Sequence, residues 1–236
     1  MQRYFSERKE DDYFLLNQED TYHIEKVMRM KLDDMIEIVY QKEVYLCNLV
    51  SINPTKGRII KKLLEYHENK EEIILVQSLV NENKMDMVLQ KGTELGVTSF
   101  YGYSAVNSVI KENGKNDKKI LRWQKIVKEA SEQSKRNVIP KVIGIINLKE
   151  LCSIQADLKI LLSVKEQSNN LKNVLQNNKM CATIIIVVGP EGGFTDLEEN
   201  ELIKNGFIRT SLGGRVLRTE TASMVTLSMI NYEWMV

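Results

Sequence analysis

A glycine-rich segment in the last third of the sequence has the residue types of a ligand-binding loop. The apolar stretch TIIIVV at 183–188 runs directly into GPEGG at 189–193. Glycine lets backbone amides approach a ligand closely, and Thr195 with Glu198 forms a capping box that predicts the start of a helix. Because α/β proteins bind ligands at the carboxyl ends of strands, this segment is a candidate site. A plain tight turn between strand and helix is the alternative that the segment leaves open.

The residues of this loop argue against a phosphate ligand. The sequence contains no G-x-x-x-x-G-K-[ST] motif, and GPEGGF at 189–194 does not supply G-x-G-x-x-G. The carboxylate of Glu191 also suits a polyphosphate poorly. We therefore expect a zwitterionic or cationic ligand.

A second segment, SLGGRVLRTETASMVTLSMI at 211–230, gathers charged residues beside another pair of glycines. Arg215, Arg218 and Glu220 lie at the predicted start of a final helix, whose apolar residues recur at helical spacing. Charges collected at the entrance to a helix, next to a glycine turn, indicate a binding site. An ordinary network of surface ion pairs would give the same pattern.

The elements around these segments predict an α/β domain with a parallel sheet. Strand-like runs alternate with helical lengths, and most runs are apolar throughout, as strands buried on both faces are. The predicted strands are IILVQSLV at 73–80, residues 97–102 and 141–146, LKILLSV at 158–164, TIIIVV at 183–188 and FIRTSLG at 207–213, and the predicted helices include 84–95 and 115–136.

The first part of the sequence predicts a small β-domain. Short β-rich runs surround one helical segment at 19–30, and the polar stretch HENKEE at 67–72 is the best candidate linker. We therefore assign residues 1–67 to one domain and residues 73–236 to a second. The β-rich runs are YFLL at 13–16, MIEIVY at 35–40, VYLCNLVSI at 44–52 and GRIIKKLLEY at 57–66.

Composition excludes several classes of protein. Hydrophobic residues make up 43% and charged residues 28% of the 236, which is typical of a soluble globular chain. The formal net charge of +1 predicts no global positive field, so any nucleic-acid site must be local. Three widely spaced cysteines predict a cytoplasmic protein, since they form no disulfide framework. We expect no metal, because the two histidines lack partners at ligand spacing, and no membrane span, because the apolar runs are too short.

The two glycine-bearing segments together, GPEGGF at 189–194 and LGGRVLRTETA at 212–222, resemble the ribosomal small-subunit RNA uridine-N3 methyltransferase family, of the SPOUT class. Three further blocks are similar to that family in the same order, so the resemblance covers nearly the whole chain. It implies methylation of uridine N3 in small-subunit (16S) ribosomal RNA, with S-adenosylmethionine as the methyl donor. The further blocks are HIEKVMRMK at 23–31, KMDMVLQKGTELGV at 84–97 and RWQKIVKEASEQSKRNVIP at 122–140.

The resemblance also implies a fold, an assembly and a set of cofactor contacts. It predicts an N-terminal PUA-like β-barrel for RNA, a C-terminal SPOUT α/β domain with a deep trefoil knot, and a homodimer built around the knot. Periodicity and spacing show neither the knot nor the dimer. The implied cofactor-binding residues are Leu161, Ser163, Gly189, Pro190, Glu191, Gly192, Leu212, Gly213, Val216, Leu217, Arg218 and Ala222.

One position departs from the family's pattern. Members usually have an arginine within a Ser-Glu-Arg-Ser-like strand, whereas this chain reads SAVNSVIK at 104–111 and has Asn107 at that position. The lost arginine predicts a weaker RNA or active-site contact, which Lys111 could offset.

The predicted catalytic residues are Arg218 and Glu220. Transfer to N3 requires the deprotonated nitrogen in line with the methyl group, so the protein mainly positions the reactants and stabilises the uracil anion. Arg218 is the candidate for orienting the base or stabilising its negative charge. Glu220 is a candidate proton or hydrogen-bond acceptor, or it holds Arg218 or Arg215 in place.

Local basic and aromatic groups are the candidates for RNA contact. Arginine beside aromatic rings allows phosphate contacts and base stacking, although solvated surface is the alternative for each group. The candidates are Arg3, Tyr4, Phe5, His23, Arg29 and Arg136.

Three other functions stay open as alternatives. A SPOUT enzyme that methylates a ribose 2′-hydroxyl typically ends with an Asn-Val-Ser-like motif, whereas this chain reads RVLRTETAS at 215–223. A non-catalytic RNA-binding or assembly factor would retain the fold, but the intact segments at 189–193 and 215–222 disfavour it. A generic nucleotide-binding protein is disfavoured because the lysine of a phosphate loop is missing.

Overall fold

The chain divides into two compact units. In the computed structural model of the protein, residues 1–110, 116–178 and 181–234 are described. One unit comprises Met1–Glu68 with Ser131–Val138, and the other comprises Asn69–Ala130 with Ile139–Val236. The sequence-based boundaries place 131–138 in the second domain, whereas the structure groups this segment with the first unit. Lys111 and the predicted start of the long helix at residue 115 lie outside the described residues.

A six-stranded sheet forms the first unit. Its strands are β1 Arg3–Phe5, β2 Arg8–Glu10, β3 Tyr13–Leu15, β4 Met35–Tyr40, β5 Glu43–Ile52 and β6 Thr55–Leu63. They lie in the order β1-β4-β5-β6-β3-β2. β1 runs parallel to β4, and the other neighbours are antiparallel. The short β-rich runs of the sequence therefore correspond to strands of one sheet.

Alternating side chains of these strands fill the core of the first unit. Ile36 and Ile38 of β4, Cys47 and Leu49 of β5, and Phe14 of β3 are all buried. A spacing of two residues brings side chains to one face of a strand, so the core lies on that face of the sheet.

The helical segment predicted at 19–30 consists of two different elements. A short helix, α1, spans Gln18–Tyr22, and a π-helical turn follows at His23–Val27. The amide of Met28 donates to the carbonyl of His23 (2.8 Å), which closes the wider turn. The sequence predicted one continuous helical segment and gave no signal for the change to the wider hydrogen-bonding pattern.

The segment Ser131–Val138 is tied to the first unit by buried charged groups. The guanidinium of Arg136 pairs with the carboxylate of Glu68, and both side chains are less than a tenth exposed. The guanidinium of Arg3, which is fully buried, donates to the backbone carbonyl of Lys135. Buried charges that lose their partners are strongly destabilising, so these contacts hold the segment in place.

The second unit contains a wholly parallel six-stranded sheet. Its strands are β7 Glu72–Ser78, β8 Ser99–Tyr103, β9 Lys141–Ile146, β10 Leu158–Leu162, β11 Thr183–Val188 and β12 Ile208–Thr210. The strand order is β12-β10-β11-β7-β8-β9, and each neighbouring pair is parallel. The predicted α/β class is confirmed, and the six strands end at a common carboxyl edge.

Helices cover both faces of this sheet. Successive residues of β10 point to opposite sides, with Ile160 in one core cluster and Leu161 in the other. Buried residues of α2, α3, α5 and α7 belong to the first cluster, and those of α4 and α6 belong to the second. The helices are α2 Glu82–Glu94, α3 Asn116–Gln133, α4 Leu148–Ser153, α5 Leu171–Gln176, α6 Asp196–Lys204 and α7 Thr219–Trp234.

Residues 1–110, 116–178 and 181–234 contain neither a candidate membrane-spanning helix nor a candidate cluster of metal ligands. Within these ranges, no helix combines the length and the apolar character that crossing a membrane requires. In the same residues, no three His, Cys, Asp or Glu side chains are grouped as metal ligands would be. The expectation that the protein uses no metal stays a prediction.

Candidate functional site

Three loops leave the carboxyl edge of the second sheet side by side. β10, β11 and β12 are neighbours and parallel, so the segments that follow them begin at the same edge. We name them the serine loop (163–170), the glycine loop (189–195) and the arginine loop (211–218). The two glycine-bearing segments of the sequence therefore leave the same edge of the sheet, with the serine loop of β10 between them.

Backbone and side-chain hydrogen bonds join these loops. The amide of Ser211 donates to the carbonyl of Asn169 (2.8 Å), and the amide of Leu171 donates to the carbonyl of Ser211 (3.0 Å). Thr219, the first residue of α7, donates from its hydroxyl to the carbonyl of Gly189 (2.6 Å). The arginine loop is thus fixed at both ends, one against the serine loop and one against the glycine loop.

A buried polar chain below the loops was missed in the sequence. Gln77 of β7 is 1% exposed; its amide group donates to the Thr219 hydroxyl (2.8 Å) and accepts from the Ser223 hydroxyl (2.6 Å). Buried polar groups need such partners. The signal was available, since Gln77 interrupts an apolar strand and Thr219 and Ser223 lie four residues apart on one face of a helix.

Lys84 is a second residue that sequence reasoning missed. It lies in the first turn of α2, and its ammonium is 2.8 Å from a carboxylate oxygen of Glu191 and 3.7 Å from one of Glu220. The hydrogen bond from Lys84 holds the pKa of Glu191 below its ordinary value, and the same contact raises the pKa of Lys84. The charge of Glu191 is therefore already balanced by Lys84. This carboxylate alone does not select a cationic ligand, contrary to the expectation from the sequence.

The two predicted catalytic side chains differ in environment. The guanidinium of Arg218 is exposed and makes no hydrogen bond or ion pair with the part of the chain that the structure describes, and the same holds for the guanidinium of Arg215. Glu220 is 8% exposed, and its Oε2 atom has no hydrogen-bond donor among the described residues. The site thus offers a free guanidinium beside a buried carboxylate oxygen with an open lone pair.

Three glycines of the two loops face open space. A Cβ atom added at Gly193, Gly213 or Gly214 would meet nothing within 4 Å. Gly193 and Gly213 also have left-handed backbones, with φ of 68° and 105°, which favour glycine. Val216 in the arginine loop is 82% exposed. These loops leave room for a ligand and offer it both backbone and an uncovered apolar side chain.

The predicted cofactor residues of β10 and the serine loop lie at different depths. The side chain of Leu161 is fully buried in the core, so only its backbone could face a ligand. The hydroxyl of Ser163 donates to the buried carboxylate of Glu199 (2.9 Å), which also pairs with Arg209 (3.1 Å). The same hydroxyl oxygen accepts from the amide of Lys165 (3.2 Å), so Ser163 is held at the edge by both its donor and its acceptor.

The other predicted cofactor residues lie along the two glycine-bearing loops. Their exposure varies: Pro190 is buried, Leu212, Leu217 and Ala222 are half-buried, and Gly192 is exposed. Leu212 and Ala222 pack against the larger core cluster. The structure therefore brings the predicted set to one edge of the sheet, while contact with a cofactor stays a prediction for each residue.

Half of the RNA candidates are enclosed within the first unit. Arg3 and Tyr4 are fully buried and Arg136 is 4% exposed. Both guanidinium groups are spent on ion pairs, Arg3 with Glu37 (2.8 Å) among others. We correct the expectation for these three residues, because a buried and already paired side chain cannot reach RNA unless the unit opens.

The remaining RNA candidates are accessible to different degrees. Arg29 is exposed, and its left-handed backbone (φ 51°) follows the π-helical turn. Phe5 and His23 are half-buried, and a ring nitrogen of His23 lies 3.0 Å from the hydroxyl of Tyr4. Among the six predicted RNA-binding residues, Arg29 is the best placed to meet a phosphate.

Comparison with known proteins identifies the family. A model described as an RNA methyltransferase domain matches residues 67–231. A ribosomal RNA small subunit methyltransferase E of Mesomycoplasma hyopneumoniae is 35% identical over 228 residues, which cover 97% of this chain and 98% of the relative. The protein of the same name from Bacillus subtilis is 34% identical over 250 residues, covering 99% and 97%. The chain belongs to the ribosomal RNA small subunit methyltransferase E family.

A crystal structure of this family agrees with the fold. The ribosomal RNA small subunit methyltransferase E of Neisseria gonorrhoeae bound to S-adenosyl methionine superposes with a TM-score of 0.89 at 28% identity, covering 99% of this chain and 98% of the other. The range 67–231 includes the glycine loop, the arginine loop and Lys84. The family resemblance seen in the sequence is thereby confirmed.

Proposed function

We propose that this chain transfers a methyl group from S-adenosylmethionine to N3 of a uridine in small-subunit (16S) ribosomal RNA. The observation that carries the proposal is the union of the glycine and arginine loops at one sheet edge, joined by the bond from Thr219 to Gly189. The names of the relatives support the RNA class, and the cofactor-bound neighbour supports the methyl donor. The choice of uridine N3 rests on the resemblance of residues 212–222 to the uridine-N3 enzymes.

The residues present fit S-adenosylmethionine as the cofactor. The open faces of Gly193 and Gly213 would admit a ligand close to the backbone, and the exposed side chain of Val216 would offer it an apolar surface. Glu220 adds a buried carboxylate with an unpartnered oxygen near the entrance of α7. When bound, the cofactor supplies an electrophilic methyl group.

Arg218 and Glu220 are proposed to handle the charge and the proton of the base. The free guanidinium of Arg218 can donate charge-assisted hydrogen bonds, which suits a uracil carbonyl whose negative charge grows as N3 loses its proton. The open lone pair of Glu220 Oε2 suits a proton acceptor, with the ammonium of Lys84 3.7 Å away to balance the carboxylate. Holding Arg218 in place is the alternative role of Glu220.

The target uridine must be unpaired for this chemistry. N3 lies on the Watson–Crick edge, so the base has to be splayed out of any duplex before it can enter the site. We propose that the first unit, a PUA-like β-barrel, holds the flanking RNA and that Arg29, His23 and Phe5 belong to its contact surface. The exposure of Arg29 supports this placement.

The proposal includes a knotted homodimer in the cytoplasm. Ser211 is hydrogen-bonded between Asn169 and Leu171, so the chain entering the arginine loop is tied to the serine loop, as a threaded segment would be. β12 lies beyond β10 in the sheet, yet α7 returns to pack on α2 and α5. These crossings support the deep trefoil knot of a SPOUT domain, around which the dimer is built.

The proposal is tested by methyl transfer to ribosomal RNA. Purified protein is incubated with labelled S-adenosylmethionine and either naked 16S RNA or small subunits from cells that lack the protein, and the digested nucleosides are analysed by mass spectrometry. We expect 3-methyluridine at one position. A methylated ribose would favour the 2′-hydroxyl alternative, and a protein that binds no S-adenosylmethionine in calorimetry would favour a non-catalytic assembly factor.

Gly192→Asp is the matched inactive variant for this assay. A Cβ at Gly192 would lie 3.1 Å from the Cβ of Asn107, so the larger residue must displace the glycine loop. We expect cofactor binding to be lost while the circular dichroism spectrum is retained. Asn200→Asp adds the same charge on the exposed face of α6 and should leave binding unchanged. Unchanged affinity in Gly192→Asp would contradict the placement of the cofactor.

A further inference from the structure

The loop that follows β8, residues 104–110, packs directly against the glycine loop. The side-chain amide of Asn107 donates to the carbonyl of Gly193 (3.1 Å) and lies 3.4 Å from that of Gly192. A Cβ at Gly192 would come within 3.1 Å of Asn107 Cβ and 3.4 Å of its carbonyl oxygen. The two loops are therefore in van der Waals contact as well as hydrogen-bonded.

A buried carboxylate fixes the loop on which Asn107 lies. Glu198 is 2% exposed; its Oε1 atom accepts from the hydroxyl of Tyr103 (2.8 Å) and from the amide of Val106 (3.0 Å). Its Oε2 atom accepts from the amide (2.9 Å) and the hydroxyl (2.8 Å) of Thr195, at the end of the glycine loop. One side chain thus ties the residue before Asn107 to the far end of the glycine loop.

We propose that Asn107 is a positioning residue for the cofactor-binding conformation of the glycine loop. A backbone that binds a ligand through its peptide groups must have those groups pre-oriented, since ordering them on binding costs affinity. The Asn107 amide orients the carbonyls of Gly192 and Gly193. Both residues are glycines, whose backbones have access to many conformations unless a contact fixes them. The inference rests on the proposed function, because it takes the glycine loop as the cofactor's contact.

Asn107, which stands where the family usually has arginine, is expected to affect cofactor binding and not RNA binding. A lost arginine would be expected to weaken RNA binding, whereas the asparagine amide is directed at the backbone of the glycine loop. Removing that amide should therefore raise the dissociation constant of S-adenosylmethionine and its KM. It should leave kcat at saturating cofactor and the KM for RNA unchanged.

The test compares full-length wild-type protein with Asn107→Ala, Asn107→Asp and the control Asn200→Ala by calorimetry with S-adenosylmethionine. Losing one hydrogen bond predicts affinity about fivefold weaker in Asn107→Ala. Asn107→Asp should be weaker still, because a carboxylate would face two carbonyl oxygens. Asn200 lies on the exposed face of α6, so its variant should bind as the wild type does.

The outcomes separate this inference from the proposed function. Wild-type protein that binds no S-adenosylmethionine contradicts the proposed function itself. Wild-type binding with equal affinity in Asn107→Ala contradicts only the positioning role, as does a raised KM for RNA at unchanged cofactor affinity. A lower thermal midpoint with unchanged affinity would also overturn it, because that result describes a residue that only stabilises the fold.

Discussion

At the scale of single residues, the site is defined by which charges are already paired. Lys84 neutralises Glu191, and Arg3 and Arg136 are enclosed by carboxylates of their own unit. Arg218 and Arg215 keep their guanidinium groups in solvent, without partners in the described part of the chain. A guanidinium that has no partner in the protein is available to pair with a substrate, so the arginine loop carries the candidate catalytic cation.

Replacing Arg218 with alanine should separate turnover from cofactor binding. If its guanidinium stabilises charge on the uracil, the rate at saturating substrates should fall about 100-fold or more, as removal of a donor from a developing anion does. The dissociation constant of S-adenosylmethionine should change much less. Single-turnover methylation and calorimetry measure the two quantities.

Arg215→Ala is the matched control, since it removes an exposed arginine of the same loop. We expect that variant to keep most of its activity. A methylation rate in Arg218→Ala equal to that of the wild type would remove Arg218 from the mechanism.

The local sequence predicted which residues form the loops, but it did not predict which residues lie next to them in the fold. GPEGG and RVLRTETA stand out because glycines and charges cluster within a few positions of the chain. Lys84 and Gln77 do not, because their contacts are with Glu191 and Thr219, 107 and 142 positions away. Only the folded sheet brings β7 and the start of α2 beside β11. A short-range pattern can therefore mark Gln77 as an unusual residue in an apolar strand, but it does not show which residue Gln77 or Lys84 contacts.

At the scale of elements, the start of α6 links local capping to the site. Thr195 caps the helix and Glu198 completes the predicted capping box. Burial alone would raise the pKa of Glu198, but hydrogen bonds from the Val106 and Thr195 amides, together with those from two hydroxyls, outweigh it and hold the pKa below 4.5. The carboxylate thus has to stay ionised for the loops on both sides to keep their conformations.

Glu198→Gln should therefore reduce stability in a pH-dependent way. An amide can satisfy only part of the donors around the carboxylate, and the expected loss at pH 7 is about 1–3 kcal/mol. A depressed pKa stabilises the fold above the ordinary value of 4.5, and this contribution is lost as the pH falls through the lower value in the fold. The difference between wild type and variant should thus shrink below pH 4.5.

Urea unfolding of both proteins across this pH range measures the difference. Glu201→Gln, on an exposed position of the same helix, should show little change at any pH. A gap between wild type and Glu198→Gln that stayed constant down to pH 3 would show that ionisation of Glu198 does not stabilise the fold.

Apolar runs predicted the elements well where tertiary contacts did not intervene. The strand at 35–40 has the predicted bounds, and the predicted strand at 183–188 is β11. The π-helical turn at His23–Val27 and the grouping of 131–138 with the first unit were not predicted. The second depends on contacts between residues far apart in the sequence, such as the ion pair between Arg136 and Glu68.

At the scale of the whole molecule, the first unit is not continuous in sequence. Met1–Glu68 is completed by Ser131–Val138, which contributes the partner of Glu68 and a carbonyl for Arg3. A cut at the linker would leave the carboxylate of Glu68 without Arg136, and it would remove one acceptor from Arg3, which keeps its ion pair with Glu37. Uncompensated buried charge costs several kcal/mol, which is a large share of the stability of a small domain.

A fragment of residues 1–68 should therefore show no cooperative unfolding transition. The same fragment joined to 131–138 through a flexible linker should unfold cooperatively. Circular dichroism during urea titration distinguishes the two. The reasoning would be refuted if both fragments had the same cooperative midpoint, since the added segment would then contribute nothing to the unit.

The bond between Gln77 and Ser223 has a consequence for biosynthesis. It joins positions 146 residues apart, and Thr219 reaches both Gln77 and Gly189 from the same late helix. A nascent polypeptide that has emerged only as far as the glycine loop lacks the groups that lock it. The methyl donor should thus find no receptive pocket on an incomplete chain, and any premature stop codon before position 219 should yield an inert product even where the sheet has formed.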